Sequence, residues 1–498
     1  MWWIILISLS ISLFYYLITI NSNYWRKRSV PGPDPWPLIG NIGSSLIGRL
    51  SAGEIFTNIY RKYEGYPFVG IFRATTPALL VRDPDFVKNV LVKDFKNFHD
   101  NDIHIDKEVD PIMGRNPFIL KGAEWKTTRV QLTSCFTSGK VKGMYPLIRK
   151  SSERMVRYVE DETSKSSTME SRELCIRFTL DNVASCAFGL EGKSFDEPYS
   201  SFRRMADEFL SPDNFWMSIK STSLLLFPAL TKFLKVKFTS DQLEEKLIGM
   251  VTATLKYRKE NNVIRNDFLE YVSQLKDGGN VFTEVDITAH AASFFGDGYE
   301  TSSRVMSFLL FELATNPRIQ ETLRKEIIES YRKNNDSFTY ESVQEMSYLD
   351  ACFNENVRKN SIAHYLTKLC TEKYTYTPTN PEYKKMSVTL DRGTPVIIPI
   401  TGLHKDPKYF ESPDEFKPER FIDKDNIQKF TYLPFGEGPR VCIGQRFGIT
   451  QIKVGIVHLI KNYRVTVNQK TQLPLKYDPW FIMLHAIGGL WIDLHKIE

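Results

Sequence analysis

A mainly α-helical fold of α+β type is what this sequence predicts: a large helical body with small β-sheets, preceded by one apolar N-terminal helix. Three observations lead there. Residues 83–275 read mostly as helix. The stretch 285–316, VDITAHAASFFGDGYETSSRVMSFLLFELATN, is long and apolar on every side, so as a helix it must lie inside the core. The clearest β-rich runs are short, FVGIFRATTPALLVR at 68–82 and TPVIIPI at 394–400. With 498 residues, 42% of them apolar, the chain can bury a large core.

Taken in order, residues 2–20 carry no charge and as a helix would cover ~30 Å, the thickness of a bilayer core. Trp2, Trp3, Tyr24 and Trp25 bracket the stretch as interfacial aromatics do, and Arg26, Lys27 and Arg28 follow. The positive-inside rule then predicts a transmembrane helix with a lumenal N-terminus and a cytosolic body. A cleaved signal peptide is the weaker alternative, because the basic cluster lies on the wrong side. VPGPDPWPLIGN, 30–41, is too rich in proline for a helix and reads as a stiff spacer. The expected organisation is therefore an anchor at 1–24, a basic and proline-rich linker at 25–41, and one body at 42–498. In that body, 68–82 reads as a hairpin and 394–400 as a buried strand. The long central helix is expected to be interrupted at Gly296 and Gly298. Residues 405–434 read as irregular, 445–465 as helix, and the C-terminal segment as a hairpin.

The net charge of +6 comes without a dense basic run interleaved with aromatics, which argues against nucleic-acid binding. Six cysteines at 135, 175, 186, 352, 370 and 442 form no CxxC pair and fit no zinc spacing. Cys135, Cys175, Cys186, Cys352 and Cys370 read as small buried apolar residues.

Cys442 differs, because it closes the irregular frame FGEGPRVCIG, 435–444. Gly436 and Gly438 can take backbone angles closed to other residues, and Pro439 stiffens the loop. Such a loop can aim amide N–H groups at a sulfur, and Arg440 stands two residues away, both favouring a thiolate. A thiolate so framed suits a nucleophile or a metal ligand. No His–Asn/Asp frame supports the nucleophile, and the glycines fit no phosphate-binding fingerprint. A single cysteinate on a planar cofactor fits better, and haem iron is the metal that a lone cysteine holds axially.

The frame matches in full the haem-loop signature Phe-x-x-Gly-x-Arg-x-Cys-x-Gly of the cytochrome P450 superfamily. Four further segments resemble that family in its order: Trp125–Arg129 (WKTTR), DGYETS at 297–302, Glu355–Arg358 (ENVR) and FKPERF at 416–421. FTSGK at 136–140 and LDACFNE at 349–355 resemble insect microsomal members in particular. The resemblance implies haem b held by the Cys442 thiolate, with Phe435 and Gly436 packed at the loop. It implies that Arg440, Trp125, Arg129 and Lys368 contact the haem propionates. It implies a structural ionic triad of Glu355, Arg358 and Arg420. Gly298, Glu300 and Thr301 would serve oxygen activation, Gly298 opening the helix, Thr301 donating a hydrogen bond and Glu300 relaying protons. His364 and His404 are not expected to be ligands.

The implied activity is insertion of one oxygen atom of O₂ into a lipophilic xenobiotic, lipid or hormone at the endoplasmic reticulum membrane. Electrons would come from NADPH through a separate reductase carrying FAD and FMN, with cytochrome b5 as a further partner. An inactive haem-sequestering protein and an O₂-independent haem-thiolate isomerase or dehydratase are the alternatives. LLLFPAL at 224–230 reads equally as a segment dipping into lipid and as the end of a core helix. Three departures from the family pattern stand out. Residues 359–370 lack the usual prolines, Lys368 replaces an arginine, and Asp297 stands where a small residue is usual.

Overall fold

The computed structural model describes residues 2–210, 215–277, 280–383 and 386–497. Helix α1, Trp2–Thr19, comes first. The hairpin β1, Phe68–Arg73, and β2, Thr76–Val81, follows as the alternating apolar pattern predicts. Then come β3, Asp100–Asn101, and helices α2, Gly122–Thr133, and α3, Ser138–Thr163. Strand β4, Thr168–Glu170, leads into α4, Ser171–Val183, and α5 is Ser201–Phe209. The central helix α6 runs from Glu284 to Thr315, and α7 from Ser347 to Lys359. Beyond these lie β5, Leu366–Leu369, β6, Pro395–Ile398, α8, Gln445–Asn462, β7, Tyr463–Val467, and β8, Trp491–Lys496.

One sheet has the order β1-β2-β6-β5-β3, with β6 parallel to β2 and its other pairs antiparallel. A smaller antiparallel sheet has the order β7-β8-β4. The C-terminal strand β8 thus lies between β7, the strand before it, and β4. The main core wraps α6 with α3, α4 and α8, and a second core fills the large sheet.

Helix α6 is 32 residues long and unbroken. The expected interruption at its glycines is corrected: they make room for neighbours rather than break the helix. A Cβ on Gly296 would lie 2.1 Å from the Phe209 ring, and one on Gly298 would lie 3.3 Å from Val183. Thr283 caps the helix in a reciprocal box with Asp286, satisfying the first free N–H groups.

The N-terminal region also departs from expectation. Among the described residues no helix is long and apolar enough to cross a membrane, so the transmembrane segment is not supported. Helix α1 has 18 residues, about 27 Å, and its described large apolar side chains are mostly exposed. Trp25 is a core residue, not an interfacial aromatic: its Nε1 donates to the Ile71 carbonyl at 2.9 Å and its ring covers Gly70. Nor is 30–41 a free spacer. Gly70 N–H donates to the Pro31 carbonyl (2.8 Å) and Phe72 N–H to Asn41 Oδ1 (2.7 Å), strapping the segment to β1. In the 224–230 run, Leu224 and Leu226 are buried and Leu230 is half-exposed.

His404 ties this scaffold to the cysteine loop. Its Nε2 accepts the Leu433 N–H and its Nδ1 meets Ser361 Oγ, both at 2.8 Å. Burial, then Arg358, pushes its pKa from the usual 6.5 down to about 3. The folded value lies below the unfolded one, so this contribution to stability is full above pH 6.5 and is lost as pH falls towards 3. In His404→Gln the amide oxygen can still accept the Leu433 N–H, but nothing titrates. Unfolding free energy measured from neutral pH to about pH 4.5 should therefore fall less steeply in the variant, by up to ~1.4 kcal/mol per pH unit. Equal slopes would mean that His404 is not the buried neutral group described.

Candidate functional site

The segment 435–444 links the core to α8, and each special residue in it has a local reason. Gly436 and Gly438 have φ of +71° and +73°. A Cβ on Gly438 would fall 2.0 Å from the Leu91 carbonyl oxygen, whereas one on Gly436 would meet only a Leu366 methyl at 3.7 Å. Cys442 N–H donates to the Phe435 carbonyl (2.9 Å) and closes the loop. The Phe435 ring lies parallel to Phe353 of α7 at 6.3 Å, which seats the loop on that helix.

Five cysteines are buried and Cys442 alone is accessible. Yet burial pushes its thiol up to about 11, against the lowering effects of the Gly444 N–H and Arg129. The sulfur is thus accessible and yet poorly solvated. The expected depression of its pKa is thus reversed: one amide and one distant guanidinium do not offset desolvation of the thiolate. Such a thiol ionises when a metal cation binds it.

The cations expected around it fall into two groups. Arg440 is a clamp: Nε donates to the His99 carbonyl (2.7 Å), Nη1 to Pro117 (3.2 Å) and Nη2 to Leu120 (2.8 Å), with Asp100 at 3.4 Å. Its guanidinium also lies 4.1 Å over the ring of buried Trp125. These contacts tie Arg440 to the loop before α2.

Lys368 and Arg129 are less committed. Lys368 is buried on β5 and its Nζ donates to Asn101 Oδ1 (2.7 Å) across from β3. Burial, then Arg440, lowers its pKa to about 7. Arg129 is half-buried on α2 and its pKa is lowered by burial, with no carboxylate paired to it among the described residues. A buried lysine and a half-buried arginine, both short of counter-charge, together with an accessible thiol suit a ligand with two carboxylates and a thiolate-seeking metal. These residues therefore fit haem.

On α6 the expected trio separates. Thr301 and Asp297 lie one turn apart on one face, and Thr301 Oγ1 donates to the Asp297 carbonyl at 2.6 Å. Gly298 is partly accessible on that side, and its carbonyl accepts Gln451 Nε2 at 3.1 Å. Glu300 faces elsewhere. Fully buried, it accepts Arg172 Nη2 from α4 and Arg304 Nε, both at 2.8 Å. Burial raises its pKa, but the two arginines outweigh this and hold it below the usual range. The structure therefore does not bring Glu300 together with Cys442. The acid that acts electrostatically on Cys442 is Asp297, which is accessible and whose carboxyl burial raises to about 6. Sequence reasoning missed Asn101 and the carbonyls that hold Arg440. Carbonyls leave no trace in a sequence, and the Asn101–Lys368 pair depends on strand register.

A helical body that sets one accessible cysteine deep inside, beneath under-paired cations, defines a thiolate-ligated haem protein. The comparisons agree. The family model described as Cytochrome P450 matches residues 30–491, and the chain belongs to that family. It is 34% identical to cytochrome P450 6j1 of Blattella germanica over 99% of this chain and 97% of the relative. It is 35% identical to cytochrome P450 6a2 of Drosophila melanogaster over 99% of each. It is 36% identical to probable cytochrome P450 6a20 of the same fly over 95% of each. The chain is therefore a haem-thiolate monooxygenase.

The two loop glycines should behave differently. Gly436→Ala has only backbone strain to meet, about 1–2 kcal/mol, and should keep most of its haem. Gly438→Ala adds a collision with a main-chain carbonyl and should lose most of it. Soret absorbance per mole of purified protein measures both, and equal haem content would contradict the packing described.

Proposed function

We propose that Cys442 would hold haem b through its thiolate and that the protein oxygenates a lipophilic small molecule, a xenobiotic or an endogenous lipid or hormone. The observation that carries this is the pairing of an accessible, deeply set Cys442 thiol with the under-compensated cations Lys368 and Arg129. Haem, when bound, supplies the iron chemistry that activates O₂. The chain's own residues do the rest. Lys368 and Arg129 bind the propionate carboxylates with charge-assisted hydrogen bonds. Phe435 and Gly436 pack the cysteine loop, Trp125 supports the Arg440 clamp, and the apolar face of α6 keeps water away. Thr301 turns its hydroxyl from the Asp297 carbonyl into the site to deliver a proton, with Gly298 leaving space beside it. Glu300 braces α6 against α4.

Electrons come from NADPH through a separate FAD/FMN reductase, with cytochrome b5 as a second donor. The exposed apolar helix α1 supports attachment to the endoplasmic reticulum membrane, with residues 42–498 forming the catalytic body on its cytosolic side.

A reduced carbon monoxide difference spectrum tests the ligand. The wild type should give the red-shifted Soret band of thiolate-ligated haem and Cys442→Ser should lose it; a band that survives the substitution rules Cys442 out. The two roles on α6 separate by turnover. Thr301→Ala should lower product formed per NADPH consumed by at least about tenfold. Glu300→Gln should instead lower stability by ~3–5 kcal/mol, because it leaves two buried arginines uncompensated, and should change that ratio little. The reverse pattern would restore Glu300 as the relay.

A further inference from the structure

Helix α6 carries three acids in its buried length, and two are neutralised. Glu300 has Arg172 and Arg304, and Glu312 has Lys359 Nζ at 2.9 Å and Asn360 Nδ2 at 2.8 Å. Asp297 has neither an arginine, a lysine nor a histidine among the described residues. Its one side-chain partner is Asn116 Nδ2 at 3.2 Å. Asn116 is itself oriented by its Oδ1, which accepts the Phe118 N–H at 2.7 Å. The carboxylate is accessible although Gly296 and Tyr299 beside it on the helix are buried, and Asp297 shares its helix face with Thr301, whose Oγ1 donates to the Asp297 carbonyl at 2.6 Å. It therefore lies on the face of α6 from which, on the reading above, Thr301 serves the reaction. A ligand that covers this carboxylate desolvates it, at a cost that a partner of opposite charge on the ligand offsets. The fold supplies such partners to its neighbours and leaves this position for something that enters.

We propose that Asp297 is a specificity-determining residue that selects lipophilic substrates carrying a cationic nitrogen, which it holds beside Thr301 on the accessible face of α6. This rests on the monooxygenase reading of the site and names its substrate class. A single charge-assisted contact of this kind is worth about 10- to 100-fold in affinity. The competing role is a mechanical one, with Asp297 merely tying the loop at Asn116 to α6. Asp297→Asn separates the two, because its amide oxygen can still accept from Asn116 while the charge is gone. Asp297→Ala places a small residue there.

The experiment is equilibrium dialysis of the full-length holoprotein against (4-phenylbutyl)trimethylammonium and its uncharged carbon isostere, 5,5-dimethylhexylbenzene. The quaternary cation has no lone pair for iron, so it reports the carboxylate alone. The wild type should bind the cation at least about tenfold more tightly than the isostere. Asp297→Asn and Asp297→Ala should both abolish that preference and leave the isostere's affinity unchanged. A wild-type preference below about twofold, or one that persists in Asp297→Asn, would overturn the proposal. So would a loss seen only in Asp297→Ala, which would assign the mechanical role. The readout needs neither reductase nor turnover. Failure of the monooxygenase reading would instead appear as a missing thiolate band in the carbon monoxide spectrum.

Discussion

The buried Glu355–Arg358 pair is the interaction from which the site hangs. Both side chains are wholly inaccessible and meet through two contacts, at 2.7 and 2.8 Å. Arg358 also donates to the carbonyls of His404 and Pro413, both at 2.8 Å. Glu355 accepts the Lys417 N–H at 2.9 Å, with Arg420 at 3.4 Å. Removing either partner of such a pair strands a buried charge, which costs about 3–5 kcal/mol. Here the consequence travels. His404 accepts the Leu433 N–H, and two residues later Phe435 lies parallel to Phe353 on α7, the helix that bears the pair. The cysteine loop is thus positioned from both ends of one ionic cluster.

Charge is distributed differently on the two sides of the site. Around Arg440 the guanidinium binds carbonyls, so it stiffens the approach to α2. Lys368 has one neutral partner, and the resulting desolvation is what pulls its pKa down. On the proposed reading an incoming propionate would reverse that loss and couple haem binding to ionisation of Lys368. The lysine has no bidentate fork, and charge rather than planar geometry is its contribution.

Much of this was legible in the sequence, because local chemistry forces it. The hairpin at 68–82, the buried strand at 394–400 and the central helix follow from periodicity. The singular place of Cys442 follows from a glycine frame whose second glycine has no room for a side chain. What escaped was decided by tertiary contact. Trp25 looks the same in sequence whether it meets lipid or the backbone of β1. Gly296 and Gly298 read as helix breakers until Phe209 and Val183 are known to lie against them. The sign of the Cys442 shift could not be read either, since the favourable amides are local and the desolvation that overrides them is global.

Glu300 shows why a motif does not fix the direction of a side chain. On an α-helix, residues three and four apart share a face and adjacent residues do not. Asp297 and Thr301 are four apart, as are Glu300 and Arg304, so the sequence DGYETSSR contains two faces in register with each other. One is accessible and carries Asp297 and the Thr301 hydroxyl. The other looks at Arg172 on α4 and, through Arg304 Nη1, at the Leu484 carbonyl at 2.9 Å. A carboxylate held by two arginines is stabilised in its charged form, and the proton affinity that a relay requires is what those arginines remove. The same helix therefore separates fixing from function by about a hundred degrees of rotation. The acid left on the accessible face is the one that the fold has not neutralised.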